Sequence, residues 1–259
     1  MTKLYLSLLL IFLSSCNFTS GLHQDILKAQ EYIEDQEFQL AAEIYNSILR
    51  KKPSRIIQLK VNYQLGVIYS LYLQEPNKAI YHFNQTIKFT DDPRWHIKSL
   101  EKMIEISLDQ KRDYKEALTY LEKLIDFKPQ IQNQEEYRFK RAECLYHIRE
   151  LDKANQYFKN FLGKNNQYAV KAYYYLGLIS FLERRWGDAI ETWHEYIKRE
   201  TKKSKNIEVK FLLANAYEMD EKLKEAYNIY YSLLGSYPNK KVIQSRLNSL
   251  YSRRVARKR

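Results

Sequence analysis

The sequence predicts an all-α protein, an α-solenoid of about six helix-turn-helix repeats closed by a C-terminal capping helix, and three observations carry that expectation. An alanine recurs at Ala41, Ala79, Ala117, Ala154, Ala189 and Ala226, in steps of 38, 38, 37, 35 and 37 residues. A period in this range marks a solenoid. Four residues after each alanine stands a large apolar or aromatic residue: Tyr45, Phe83, Leu121, Phe158, Trp193 and Tyr230. One helical turn separates the two, so both lie on one buried helix face. The 259 residues include only six Gly and five Pro but 45 % apolar residues and 23 Tyr. That composition excludes collagen-like, linker-like and disordered chains, and it suits helices with aromatic bodies between them.

Each repeat can be followed outward from its alanine. Twelve or thirteen residues earlier sits a small residue, Ala29, Gly66, Ala142, Gly177 or Ala214, where the two helices of a repeat must approach closely. Twelve residues later, Pro53, Pro129 and Pro238 end the second helix of three repeats. The long first steps predict extended turns after the first two repeats. Beyond Pro238, the residues Ile243, Leu247, Leu250 and Tyr251 follow the i, i+4, i+7, i+8 pattern of an amphipathic helix, which suits a solvating cap on the last repeat. Residues 24–238 are thus expected to form the solenoid, and residues 239–259 the capping helix and a basic tail.

This pattern resembles the tetratricopeptide repeat, a helix-turn-helix unit of about 34 residues that carries W-x2-L-G-x2-Y, then A-x3-F, then P. First-helix matches are Tyr173-x2-Leu176-Gly177, Lys210-x2-Leu213-Ala214-x2-Tyr217 and Asn62-x2-Leu65-Gly66-x2-Tyr69. The third repeat departs from it, with Glu105 at the small position, and the fourth has Arg141 where Leu is expected.

The amino terminus reads as an address. A charged start at Lys3, an apolar run from Leu4 to Leu13 and a small-residue end at Ser14-Ser15 have the form of a secretory signal, too short to span a bilayer. The stretch Leu13-Ser14-Ser15-Cys16 resembles the bacterial lipoprotein signal, in which the cysteine is acylated and becomes the mature first residue. The resemblance implies a signal peptide over residues 1–15 and a lipidated terminus and linker over 16–23, with Cys16 as the membrane anchor. The alternative is an ordinary signal peptide with an incidental cysteine. Once Cys16 is acylated, the other thiol, Cys144, has no partner for an intramolecular disulfide and is expected to be a small core residue.

Little in the sequence carries chemistry. No glycine motif of a phosphate-cradling loop occurs, which argues against nucleotide enzymes. The five histidines, His23, His82, His96, His147 and His194, are scattered over the repeats and match no metal-ligand spacing except Glu191-x-x-His194, a single i, i+3 pair where di-iron bundles need two. No catalytic residue, metal or cofactor is expected.

Surface features remain. In tetratricopeptide proteins the first helices line a groove, and the position three residues before the small residue faces into it. Counting so gives Ile26, Tyr63, Lys102, Phe139, Tyr174 and Phe211, of which the four aromatics are expected to receive an extended or helical peptide. The same position also suits half-burial between adjacent repeats. The net charge of +12 is concentrated, with eight basic and no acidic residues from Asn239 to Arg259, the tail ending in Arg253, Arg254, Arg257, Lys258 and Arg259. A second cluster spans Lys198 to Lys205. Export argues against nucleic acid as partner, which leaves an anionic membrane face, an acidic protein or a solubilising role.

Together these readings point to a bacterial envelope lipoprotein, on the periplasmic face of the outer membrane rather than the inner, acting as a non-enzymatic scaffold for other envelope proteins. It looks similar to the repeat lipoproteins of β-barrel assembly machinery and to the pilotin lipoproteins of secretins. The rival expectation is a ligand-binding or enzymatic periplasmic protein with a site in the groove.

Overall fold

The structure is a computed structural model that describes residues 21–127, 133–163 and 166–256. The signal residues, Cys16, Pro129, Arg257, Lys258 and Arg259 lie outside the described residues. Every described regular element is helical. Helix α1 covers residues 21–34, so helix is present three residues before the expected start of the solenoid, with Leu22 already buried. The remaining helices are α2 (Phe38–Arg50), α3 (Arg55–Leu71), α4 (Pro76–Lys88), α5 (Pro93–Glu105), α6 (Tyr114–Ile125), α7 (Gln134–His147), α8 (Leu151–Lys159), α9 (Gln167–Leu182), α10 (Trp186–Arg199), α11 (Lys203–Met219), α12 (Leu223–Ser232) and α13 (Lys240–Ala256). Consecutive pairs make six hairpins, and α13 follows as the cap. The chain divides after Gln134 into two compact units, unit 1 with three hairpins and unit 2 with three hairpins and α13.

All six register alanines are 0 % exposed, and each residue four positions on is buried. The small residue of the first helix faces that large one. A Cβ added at Gly66 would lie 2.8 Å from the Phe83 ring, and one added at Gly177 would lie 2.2 Å from Trp193 Nε1. Only glycine lets these rings seat.

The hairpin turns share a device. One residue per hairpin has positive φ, at Gln36, Gln74, Arg112, Arg149, Arg184 and Glu221, each five residues before its alanine. The left-handed residue reverses the chain, and the next amide closes the turn on a carbonyl of the first helix. In hairpins 1, 4, 5 and 6 that carbonyl is five residues back: Glu37 N–H donates to Tyr32 (2.8 Å), Glu150 to Leu145 (2.9 Å), Arg185 to Ser180 (2.9 Å) and Lys222 to Tyr217 (2.9 Å). In hairpins 2 and 3 it is six back, Glu75 to Tyr69 and Asp113 to Ser107, both 2.8 Å.

That additional residue contributes one residue to each of the two longest steps. Helix α5 runs on into a π turn over Ile106–Gln110, and α3 ends with the Leu73 amide bonded five residues back to Ile68. Both hairpins widen at the end of the first helix, whereas the connections after hairpins 1 and 2 are ordinary four-residue turns, 51–54 and 89–92. The expected extended turns are therefore not present. Neither is Glu105 the residue at the third small position. The widening shifts the register by one, so Ile104 (2 % exposed) takes that place opposite Leu121, the smallest of the six large residues, while Glu105 points to solvent and pairs with Lys102 at 2.8 Å. Arg141 fits the fourth repeat by lying 3.9 Å over the Tyr157 ring.

Candidate protein-interaction surface

In unit 1 the first helices α1, α3 and α5 bring Ile26, Tyr63 and Trp95 around an apolar cup of about 220 Å³. Tyr45, Ile57 and Val61 add to its apolar wall, and Gln30, Lys60 and Gln64 supply its polar part. Tyr63 is half-buried and held edge-on between Phe83 (5.5 Å between centroids) and Trp95 (5.1 Å). Burial raises its hydroxyl pKa, opposed by the nearby Lys102. The tyrosine thus offers a neutral, fixed ring with little entropy left to lose on binding. Trp95 was invisible to the counting rule because it sits at the start of α5, where no repeat position predicts an aromatic. Lys102, which that rule assigned to the row, shares the one-residue shift and is engaged with Glu105.

In unit 2 the row is uneven. Phe139 is not a groove residue: it is 2 % exposed, edge-on to Phe158 (5.3 Å) and Phe161 (5.2 Å). The connection after α8 carries Phe161 over it, so its apolar surface is already spent. Tyr174 is half-buried, and its hydroxyl donates to Glu208 at 3.4 Å, linking α9 to α11. Phe211 is half-buried under Tyr237, stacked at 4.6 Å. The structure brings Tyr63 together with Trp95, and leaves Tyr174 and Phe211 partly open without a shared cup.

A larger pocket of about 630 Å³ in unit 1 is walled by α2, α3 and α4. Asn62, His82 and Arg50 are among its lining residues. The Asn62 side-chain amide donates to the Gln58 carbonyl at 2.7 Å, which leaves its oxygen to accept from His82 Nδ1 at 2.9 Å. Burial, with Lys78 nearby, pushes the His82 pKa down to about 4, so the ring is neutral near pH 7. The Cys144 thiol is pushed up to about 12 by burial, which leaves it unreactive in its core position. His194, of the Glu191/His194 pair, is bonded to the Tyr217 hydroxyl at 2.8 Å. Among the described residues no three His, Cys, Asp or Glu side chains converge as a metal site. No described helix is long and apolar enough to cross a membrane.

The capping helix uses part of the basic tail. Ile243, Leu247 and Leu250 are buried against Ala226, Tyr230 and Leu233, while Tyr251, expected on the same face, is 63 % exposed. Arg253 donates to Glu218 at 3.0 Å and to Glu221 at 2.9 Å, and Arg254 lies 5.6 Å over the Tyr227 ring. Glu218 is buried, with Arg246 3.6 Å away as a second partner. Arg253 and Arg254 are therefore latches of α13 rather than a free tail, because a buried carboxylate needs its countercharge.

No protein-family profile and no curated protein matches the chain. Among solved structures, MamA superposes with a TM-score of 0.55 at 20 % identity, covering 69 % of this chain and 91 % of MamA. PilW, a type IV pilus biogenesis factor, gives 0.52 at 19 % identity over 87 % of this chain and 97 % of PilW. A tetratricopeptide repeat protein from Parabacteroides merdae gives 0.54 at 14 % identity over 90 % of this chain and 99 % of its own. The fold is that of a tetratricopeptide solenoid.

Proposed function

We propose that the chain is an envelope lipoprotein, anchored through acyl groups on Cys16 at the periplasmic face of the outer membrane, that acts as a non-enzymatic scaffold for other envelope proteins. The observation that carries the scaffold reading is the cup at Tyr63 and Trp95, whose volume is that of one large side chain and whose walls are preformed. A partner seats an apolar side chain there, and Tyr174 and Phe211 offer contacts of their own within unit 2. The fold shared with PilW, a type IV pilus biogenesis factor, supports a role in pilus assembly. The resemblance of the repeat array and its anchor signal to envelope lipoproteins extends the reading to secretins or outer-membrane barrels. Acylation at Cys16 is supported by the Leu-Ser-Ser-Cys stretch, and two acyl chains suffice for stable anchoring.

Affinity purification from detergent-solubilised envelopes tests the scaffold. The wild-type chain is expected to retain envelope proteins that Trp95→Ala loses. The same partners retained by both would reject the cup. Fatty-acid labelling of the wild type and of Cys16→Ala tests the anchor, and label kept by the variant rejects it. The polar pocket beside His82 favours a second reading, a small ligand bound by unit 1, which a ligand copurifying with the protein would support.

A further inference from the structure

We infer that the first inter-repeat turn, residues 50–56, is a membrane-contact surface for anionic phospholipid. Arg50 closes α2, Lys51 and Lys52 follow in the turn, and Arg55 opens α3, so four cations fall within six residues of a unit whose remaining charge is slightly negative. Lys51 is tied to Asp25 at 2.5 Å, and Arg55 donates to the Phe89 carbonyl at 3.0 Å and stands 3.6 Å from Asp91. Arg50 and Lys52 have no carboxylate within ion-pair distance among the described residues. Beside them Ile56 is 68 % exposed, the largest value of any large apolar residue described. Ile56 contributes no burial, and Lys52 precedes a helix whose first turn holds no acidic residue, so its charge meets the positive end of the α3 dipole, whereas Arg50 suits the carboxyl end of α2.

A single exposed aliphatic side chain in one short segment with exposed cations suits a lipid interface, where the side chain enters the headgroup boundary and the cations meet phosphates. A protein partner of ordinary size needs roughly 800 Å² of complementary surface per side, far more than Ile56 supplies. The location agrees with the anchor, and in this the inference rests on the acylation proposed above. The Lys51–Asp25 pair fastens the turn to the first turns of α1. From Cys16 to residue 21 the chain spans at most about 18 Å, which keeps the patch close to any bilayer that holds the acyl groups.

The test is flotation of a chain comprising residues 17–259, which keeps every described residue, on phosphatidylcholine vesicles with and without phosphatidylglycerol, at low and high salt. Binding is expected only with phosphatidylglycerol and is expected to fall with salt. Arg50→Gln with Lys52→Gln should weaken it about 30-fold, from about 1 kcal/mol per cation. Ile56→Ser should weaken it as well, whereas Leu71→Ser, at the far end of α3 about 22 Å away, should not. Unchanged helicity by circular dichroism keeps folding out of the comparison. The inference is overturned by equal binding of wild type and double variant, by binding lost only on removing residues 257–259, or by no binding at all. Fatty-acid labelling separates the two proposals: labelled protein without patch dependence removes the patch alone, and patch-dependent binding by a chain that is never labelled removes the anchor alone.

Discussion

Unit 1 and unit 2 are built from the same hairpin and yet differ in two ways, in charge and in how strictly they keep the repeat length. Residues 1–134 hold 17 basic and 16 acidic side chains, and residues 135–259 hold 26 and 15, so nearly the whole net charge of +12 belongs to unit 2. Unit 1, in turn, contains both widened helix ends, at α3 and α5. The contrast teaches which parts of the repeat are fixed. An added residue is absorbed by an i→i−5 turn, a change that leaves the left-handed residue five positions before the alanine in all six hairpins. What is kept is the spacing from turn to second helix, because that spacing sets which face of the second helix meets the first.

The sharpest difference between the units is expected at their glycines. Gly177→Ala should cost about 2–4 kcal/mol, because its Cβ would meet the Trp193 indole at 2.2 Å and displace a ring whose Nε1 donates to the Tyr174 carbonyl at 3.3 Å. Gly66→Ala should cost less, about 1–2 kcal/mol, since the Phe83 ring is 2.8 Å away and has no hydrogen bond to lose. Thermal melts of the two variants would check the order, and a larger loss for Gly66→Ala would show that unit 1 is the more rigid unit.

Acid should separate the units next. The His82 pKa is lowered from 6.5 to about 4, so the unfolded chain binds the proton first and stability falls as pH drops from about 6.5 towards 4. The loss at His82 reaches at most about 3 kcal/mol, while His147, whose pKa burial also lowers, adds a loss of the same sign in unit 2. Urea melts at pH 7 and pH 4.5 should show it, and His82→Gln should flatten the slope; an unchanged slope would place the acid sensitivity elsewhere.

Smaller effects are expected at the cap and the turns. Arg253→Ala should destabilise α13 by about 1–2 kcal/mol, because Glu218 is buried but keeps Arg246 as a partner. Hydrogen exchange in α13 would report it, and exchange no faster than in the wild type would return Arg253 to the role of a free tail. Arg149→Gly, in a left-handed turn, should gain less than about 1 kcal/mol, measurable by denaturant melts. A loss there would mean that the arginine side chain contributes more than its backbone conformation costs.

The comparison also shows where sequence reasoning works. The six alanines, the large residues after them and the close approaches at Ala29, Gly66, Ala142, Gly177 and Ala214 were legible because packing between two helices restricts size, and size can be read from a residue name. The turns were not legible in detail. Their left-handed residues are Gln, Arg and Glu rather than Gly or Asn, so the usual marker is absent. The widened ends were hidden for a related reason: counting assumed a constant helical pitch, which put Glu105 at the small position that Ile104 occupies. Of the candidate surface, Tyr63 was reached by register, but Trp95 was not, and Phe139 was misjudged because Phe161, which covers it, belongs to a connection with no repeat position.

The left-handed turns bear on cooperativity. Each of the six holds a side chain with a Cβ in a conformation costing about 1 kcal/mol, so a lone hairpin begins in deficit before its helices bury anything. In a linear array, low intrinsic stability per repeat places the weight on coupling between neighbours. Such an array resists fraying one repeat at a time: losing a terminal hairpin forfeits a full interface while recovering only the strain of one turn. Adjacent hairpins within a unit are thereby bound into a common transition, and the penalty stored at each reversal acts as a device that keeps partly folded arrays sparsely populated.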